Sequence, residues 1–425
     1  MSRKELARQV DRIIADQPVT DLHTHVYAPV FGASPKPGGL LLWGIDELVT
    51  YHYLVAEVFR VVPASVLPYE KFWQMSKAAQ ADHIWKHLFV ERTPLSEACR
   101  GVITTLDKLG LDPNERTLTR YRRWFAAQDA SQYIDKVMAL ANVDQITMTN
   151  AVFDDQERAL WDSLGPKAAA DPRFATVLRC DQLLTDWPQA VTKMAAMGYA
   201  VATDLSGASL NELRRFLSDW LKRTKAVYLA MSLPPSWRYP DPANPLGDRI
   251  VREALLPVLA QENLPWAMMI GSLRGVNPAL KDAGDIGVRA DVLSVAHLCR
   301  DFSGNKFMVT MLARENQHEL CVVARKFGNL LPFGCWWFLN NPSLIEEMTR
   351  MRLELLGATI TPQHSDARIL DQLIYKWTHS RQVIAKVLTD KYADLKEAGL
   401  KITKKMMKRD AALLLRDNYR NFIKK

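Results

Sequence analysis

The chain has 425 residues, 48% of them hydrophobic and 24% charged, with a formal net charge of +8. That profile describes a globular chain with a substantial core and excludes a disordered or fibrous one. The mild positive balance suits an anionic small molecule without demanding nucleic acid, and no apolar run approaches the roughly 20 residues of a membrane span. The five cysteines, Cys99, Cys180, Cys299, Cys321 and Cys335, are scattered and never form a Cys-x-x-Cys pair. This argues against a disulfide framework or an all-cysteine zinc site and for the reducing cytoplasm. The opening Met1-Ser2-Arg3-Lys4-Glu5 leads into a mixed-charge helix rather than a signal-peptide core.

In chain order, residues 3–15 read as a helix and 18–22 as a first strand, which runs into His23-Thr24-His25. Alternate residues of a strand share a face, so His23 and His25 point the same way, as a divalent transition metal requires. A Pro- and Gly-rich loop from Tyr27 to Gly39 follows. From Gly44 to about Asn142 apolar residues recur at helical spacing, predicting helices at 45–60, 69–89, 95–109, 116–127 and 130–141. Strand-like runs then appear at 144–149, 174–179, 226–232, 265–270, 306–312, 330–335 and 358–364, with a weaker one at 198–204. Helical stretches such as 246–262, 314–327, 343–356 and 367–390 separate them. The alternation predicts an α/β fold with parallel pairing, and eight units predict a closed (β/α)8 barrel of the triosephosphate-isomerase type. An open doubly wound sheet is the alternative, disfavoured because no Gly-x-Gly-x-x-Gly follows an early strand.

Four segments are expected: 1–43 (helix, strand one and its loop), 44–142 (helical insertion), 143–390 (the rest of the barrel) and 391–425 (a C-terminal helical extension). The extension holds Lys401, Lys404, Lys405, Lys408, Arg409, Arg416, Arg420, Lys424 and Lys425, interleaved with Met406, Met407, Leu413, Leu414, Leu415, Phe422 and Ile423. That interleaving predicts an amphipathic helix packed on the body rather than a tail that binds nucleic acid or membrane.

Function in such a barrel collects at the carboxyl ends of the strands. Strand one ends in His23 and His25, and strand three runs into Arg179 and Asp181. Strand six runs into Arg314, Glu315, Asn316 and Gln317, strand seven into Trp336 and Trp337, and strand eight into His364, Ser365, Asp366, Ala367 and Arg368. First and last strands are neighbours in a closed barrel, so Asp366 joins the two histidines as a three-ligand zinc site. His52 and Tyr53, just beyond the loop that leaves strand one, supply two proton-transfer groups. His83 and His87 have zincin spacing, but Ile84 stands where the general-base Glu would be, and His297, His318 and His379 read as packing or surface residues.

The His-x-His after strand one, His52-Tyr53 in a helix ending in Arg60, Cys335-Trp336-Trp337-Phe338 and Ser365-Asp366-Ala367-Arg368 together resemble the uronate isomerase family of the amidohydrolase superfamily. The similarity runs from about residue 18 to the C-terminus. It implies interconversion of D-glucuronate with D-fructuronate and of D-galacturonate with D-tagaturonate. Larger members read Asp-His-Tyr where this chain has Tyr51-His52-Tyr53, and His-Ile-Gly where it has Met269-Ile270-Gly271, which implies a shorter, divergent branch. In this reading one divalent metal ion, expected to be zinc, is held by His23, His25 and Asp366. Asp366, His52 and Tyr53 move protons, Arg179 and Arg368 hold the sugar carboxylate, and Trp337 walls off water. The substrate is a small hexuronate, and a cytoplasmic homo-oligomer is expected. A metal-dependent hydrolase or lactonase on the same barrel is the competing class; it would need further ligands on strands four to six.

Overall fold

The computed structural model describes residues 2–34 and 38–424. Among the described residues nine strands occur: β1 (Val19–Thr24), β2 (Val143–Ala151), β3 (Phe174–Arg179), β4 (Leu229–Leu233), β5 (Trp266–Ile270), β6 (Ser272–Leu273), β7 (Ile286–Gly287), β8 (Phe307–Met311) and β9 (Leu330–Pro332). Seven of them form one parallel sheet in the order β1-β2-β3-β4-β5-β8-β9. Strands that follow one another in the chain lie side by side with helices returning between them, the arrangement that right-handed crossovers impose. Short β6 and β7 stand apart as an antiparallel pair, with Ser272 opposite Gly287. The sheet residues are almost all buried because helices cover one face and interior side chains fill the other. That interior is an apolar plug of Leu22, Val177, Tyr228, Ala267, Met308 and Phe333.

Residues 358–364, expected to be the eighth strand, do not form a ladder. Thr361 makes a single parallel bridge to Phe333. Pro362 has no N–H to donate, which stops the pairing after one residue. The segment nonetheless spans both sheet edges. Gly334 donates its N–H to the Thr361 carbonyl (2.8 Å), Asp366 to the His23 carbonyl (3.2 Å), and His25 to the Ala367 carbonyl (2.7 Å). The weak run 198–204 is also irregular. Side chains of the next helix satisfy its amides in place of a partner strand, Glu212 at Ala200 N and Ser209 at Ala202 N.

From Ile45 to Ala141 the chain is mainly helical, and its helix starts are marked in the sequence. Ser76, Ser96 and Asp129 each cap a helix by accepting an N–H three residues on. The expected helix 45–60 is two helices, Ile45–Val49 and His52–Val61, because Thr50 and Tyr51 leave helical geometry. That break puts Tyr51 and His52 at a helix start. After the irregular edge segment the chain enters Gln372–Glu397, a long and largely buried helix. There Trp377 donates to Asp21 of β1, and Arg381 donates to the carbonyls of Ile14, Gln17 and Asn142.

The C-terminal segment packs on the body as Lys404–Ala412, a π-helical turn Leu413–Asp417 and Asn418–Phe422. Met407, Leu414, Leu415 and Tyr419 are buried, and the lysines 401, 404, 405 and 408 are exposed; Lys425 lies outside the described residues. The segment closes the amino-terminal end of the sheet. Asn418 donates to the carbonyls of Ala358 and Ile360, Arg420 pairs with Asp144 at 2.9 Å, and the Tyr419 hydroxyl meets Thr147 at 3.2 Å. No helix among the described residues is long and apolar enough to cross a membrane. Tyr419→Ala removes the ring under the interior plug and should cost about 3–5 kcal/mol in urea unfolding, whereas Tyr419→Phe should cost only about 1 kcal/mol. Equal, small effects of both changes would mean that the segment is dispensable to the fold.

Candidate active site

A cavity of about 560 Å³ opens at the carboxyl ends of the strands, and His23 and His25 line its floor beside Asp366. His23 Nε2 lies 3.8 Å and His25 Nε2 3.6 Å from Asp366 Oδ1, and the three ligand atoms lie within 4.8 Å of one another. Asp366 reaches this place because its backbone is bonded to β1 and takes a left-handed φ of +51°. Asp tolerates that region better than most residues, but it is uncommon and clusters at functional sites.

Burial dominates the electrostatics here. It lowers the His23 imidazole to about 3 and holds His25 well below its ordinary value, with His23 and the nearby arginines adding repulsion. Burial also raises the Asp366 carboxyl to about 6, against the opposing pull of Lys376 and Arg179. His23 Nε2 and Asp366 Oδ1 are buried with no hydrogen-bond partner. His23 Nδ1 is within 3.3 Å of the Tyr228 hydroxyl, which holds the ring. Two neutral imidazoles and a carboxylate, with unpaired atoms converging on one point, form a donor set that fits a divalent metal ion. Among the described residues no other group of His, Cys, Asp and Glu does so.

Four cations line the same cavity: Arg179, Arg274, Lys281 and Arg368. Arg179, at the end of β3, is bound through Nε and Nη2 to Asp181 Oδ2 at 2.8 and 2.5 Å, and Asp181 is itself fixed by Ser232 N. Arg368 pairs with Asp282 at 2.9 Å. Trp337 and Trp336 form a wall, and the Trp337 indole N–H donates to His52 Nε2 at 3.0 Å. Tyr53 stands apart from the other expected residues. Its ring packs against Tyr51 and Phe338, its hydroxyl is buried without a partner, and the tyrosine of the wall is Tyr51.

Arg274, Lys281, Asp282, Asp285 and Tyr51 were not expected from the sequence. Four of them lie between Gly271 and Gly287, a glycine-rich, charged loop that leaves β5 at the carboxyl rim. That placement was the available signal. There Arg274 Nη1 donates to Asp285 Oδ2 at 2.5 Å and its guanidinium lies 5.4 Å from the Trp337 ring centroid. The polar residues expected after strand six serve packing instead. Arg314 pairs outward with Glu347, and Gln317 donates to the carbonyls of Met311 and Ala313. His87 pairs with Glu91, His379 with Glu97, and His297 meets the Tyr239 carbonyl.

No family model matches the sequence, and no curated protein matches it. Solved structures do. A uronate isomerase from Bacillus halodurans C-125 is 50% identical over 100% of this chain and 97% of its own, with a TM-score of 0.94. A uronate isomerase from Thermotoga maritima (17% identity, 99% of this chain and 97% of its own, TM-score 0.76) and a glucuronate isomerase from Caulobacter crescentus (14%, 99% and 94%, 0.78) share the fold. Half of all positions retained across the full length, on a superposable backbone, establishes common descent: the chain belongs to the uronate isomerase family.

Proposed function

We propose that this protein interconverts hexuronates with their keto acids, D-glucuronate with D-fructuronate and D-galacturonate with D-tagaturonate, by moving a hydrogen between C1 and C2 of the open-chain sugar. The observation that carries the reading is one cavity in which four cations line the walls around the buried Asp366 carboxyl and its two histidine neighbours. Isomerisation asks for cations for the substrate carboxylate, a base, and donors for the enediol oxygens. Arg179 and Arg368 bind the carboxylate in this reading, Arg274 joins them, and Asp366 takes and returns the carbon-bound proton. Tyr53, whose ring lies 4.5 Å from that of His52 and whose buried hydroxyl has no protein partner, is its proposed partner. Trp337 keeps bulk water from the enediol.

His23, His25 and Asp366 are proposed to hold one zinc ion, which would polarise substrate oxygens. The competing hydrolase reading is not favoured, since Ser232 and Met269 line the cavity from the ends of β4 and β5, where it needs metal ligands. We take the fold as an eight-fold barrel whose last place is the irregular segment around Thr361–Ala367. Residues 44–142 form its helical insertion and 391–425 its extension. Five free, buried cysteines fit a reducing cytoplasm, and a homo-oligomer is proposed from the family.

Glucuronate or galacturonate should be converted to the keto acid, read by coupling to a hexuronate reductase and following NADH. Absence of turnover of both, with zinc supplied, would refute the proposal, and faster release of acid from uronolactones would favour the hydrolase.

Asp366→Asn should lower kcat by about 10²–10⁴-fold, while Arg179→Met should chiefly raise KM and Arg368→Met should damage both parameters. Tyr53→Phe should lower kcat with no loss of Tm, and Tyr51→Phe should mainly raise KM; the reverse pattern would give Tyr51 the proton-transfer role.

Metal affinity should depend on pH through Asp366. Its folded-state pKa is raised, so protonation favours the metal-free fold, and that share of stability is lost as pH rises from about 4 to 6. Metal binding runs the other way because the ligand must ionise, while the two imidazoles are already neutral. Zinc affinity, measured by calorimetry, should therefore rise by up to roughly tenfold per pH unit below pH 6 and flatten above it. A flat profile through pH 6 would exclude Asp366 as the titrating ligand.

A further inference from the structure

The indole N–H of Trp337 reaches His52 Nε2 at 3.0 Å, and both side chains line the cavity. An indole nitrogen is a donor only, whereas a neutral imidazole has one donor and one acceptor nitrogen. The contact therefore requires a lone pair on His52 Nε2. An Nε2–H tautomer or an imidazolium would set two N–H groups against each other, and turning the ring over would put Cε1 against the donor. The proton of His52 is on Nδ1, which has no protein partner among the described residues.

Two further observations show that this contact is held. Trp337 has a φ of +53°, a conformation strained for a bulky residue, and such strain persists only where surroundings impose it. Phe338 stacks on one side at 4.8 Å between centroids, and the Arg274 guanidinium lies 5.4 Å from the ring. His52 is likewise bounded, by Tyr51 at 4.1 Å and Tyr53 at 4.5 Å. Its imidazole is kept neutral by burial first and then by Arg368, with its pKa lowered to about 3.

We infer that Trp337 is a positioning residue that fixes His52 as the Nδ1–H tautomer, so that His52 serves the isomerisation as a hydrogen-bond donor through Nδ1 and not as a base. The role, though not the tautomer, rests on the isomerase reading above. A neutral imidazole donating to the oxygen on which enediolate charge develops stabilises that charge without taking a proton. It cannot relay a proton through Nε2, because that lone pair is committed to an indole N–H, which is not an acid near neutral pH. Carbon-bound proton transfer is left to Asp366.

The test begins with the full-length wild-type protein, labelled with ¹⁵N-histidine and free of substrate. The His52 signals are identified by their loss in His52→Asn, and Nδ1 should carry the proton. Trp337→Phe keeps an aromatic wall but removes the donor, and its His52 should shift toward the Nε2–H form. In kinetics, Trp337→Phe should lower kcat roughly tenfold, the size of one lost hydrogen bond, with little change in KM. His52→Asn places an amide N–H near the Nδ1 position and should retain more activity than His52→Gln, which places it near Nε2. A wild-type His52 protonated on Nε2, or a tautomer unchanged in Trp337→Phe, overturns the inference whether or not the enzyme turns over. The opposite order of the His52 variants overturns the donor role alone. A protein with the expected tautomer but no isomerase activity would refute the functional reading and leave the tautomer standing.

Discussion

Asp21 underlies the geometry of the site more than any residue that lines it. Its carboxylate is fully buried on β1 and accepts the Ser365 N–H (3.1 Å) on one oxygen and the Trp377 indole N–H (2.8 Å) on the other. Burial pushes its pKa up while those two donors pull it back down. Through them it ties the first strand to the irregular segment that follows β9 and to the long helix beyond. From the other side Lys376, also buried, donates to the Ser365 carbonyl at 2.6 Å. One residue further on, Asp366 meets His23 and His25. A regular eighth strand would have provided this register through a ladder. Pro362 forbids that ladder, so side chains provide it, and buried charge-assisted hydrogen bonds are stiff enough to do so.

The same region concentrates strain and unpaired polar atoms. Asp366 and Trp337 both have positive φ, and His23 Nε2, Asp366 Oδ1 and both ring nitrogens of His364 are buried without partners. Gly334 shows how tightly the layer beneath is packed. With φ at +65°, a Cβ there would come within 1.7 Å of His364 Nδ1, so only glycine fits. Its carbonyl accepts from Arg352, a fully buried arginine whose other contact is the Gln317 side-chain oxygen. A fold optimised for stability would not leave four such atoms unpaired side by side. His23 Nε2 and Asp366 Oδ1, on residues that line the cavity, mark where a ligand completes the hydrogen bonding, whereas the His364 nitrogens lie in the packed layer beneath.

What the sequence revealed, and what it hid, follows from the range of the forces involved. The pairing of His23 with His25 was legible because the period of a strand is local, and seven of the eight expected strands form for the same reason. The run at 358–364 misled because Thr359, Ile360 and Thr361 favour a strand locally, whereas the pairing it needed was vetoed by one missing N–H at Pro362. Arg179, Trp337 and Arg368 were found from their place at strand ends. Arg274 and Asp285 were not, because the loop that carries them has no periodicity and its shape depends on contacts distant in sequence, such as Trp73 donating to the Ala279 carbonyl. Tyr51 joins the cavity wall unannounced, because the helix start at Tyr51 and His52 depends on backbone geometry that side-chain spacing does not report.

The ion pairs of the cavity differ in a way that bears on how a carboxylate enters. Arg179–Asp181 and Arg274–Asp285 each include a mostly buried carboxylate that also accepts a backbone N–H, from Ser232 and Gly275 respectively. Breaking such a pair strands a buried charge, which costs several kcal/mol. Arg368–Asp282 is different, with side chains 50% and 62% exposed. An exposed pair of this kind contributes about 0–1 kcal/mol, so exchanging Asp282 for another carboxylate is nearly neutral. Arg179 and Arg274 therefore stay oriented by their own acids and offer their remaining N–H groups, while Arg368 is free to change partner. Asp282 sits on the same loop as Arg274, and that loop is held to the helices before β2 by the Trp73 contact and by Asn277 donating to the Tyr69 hydroxyl. Of the three pairs, the one at Arg368 is therefore the one a bound carboxylate can displace at least cost, and its acid lies on the loop that borders the cavity mouth.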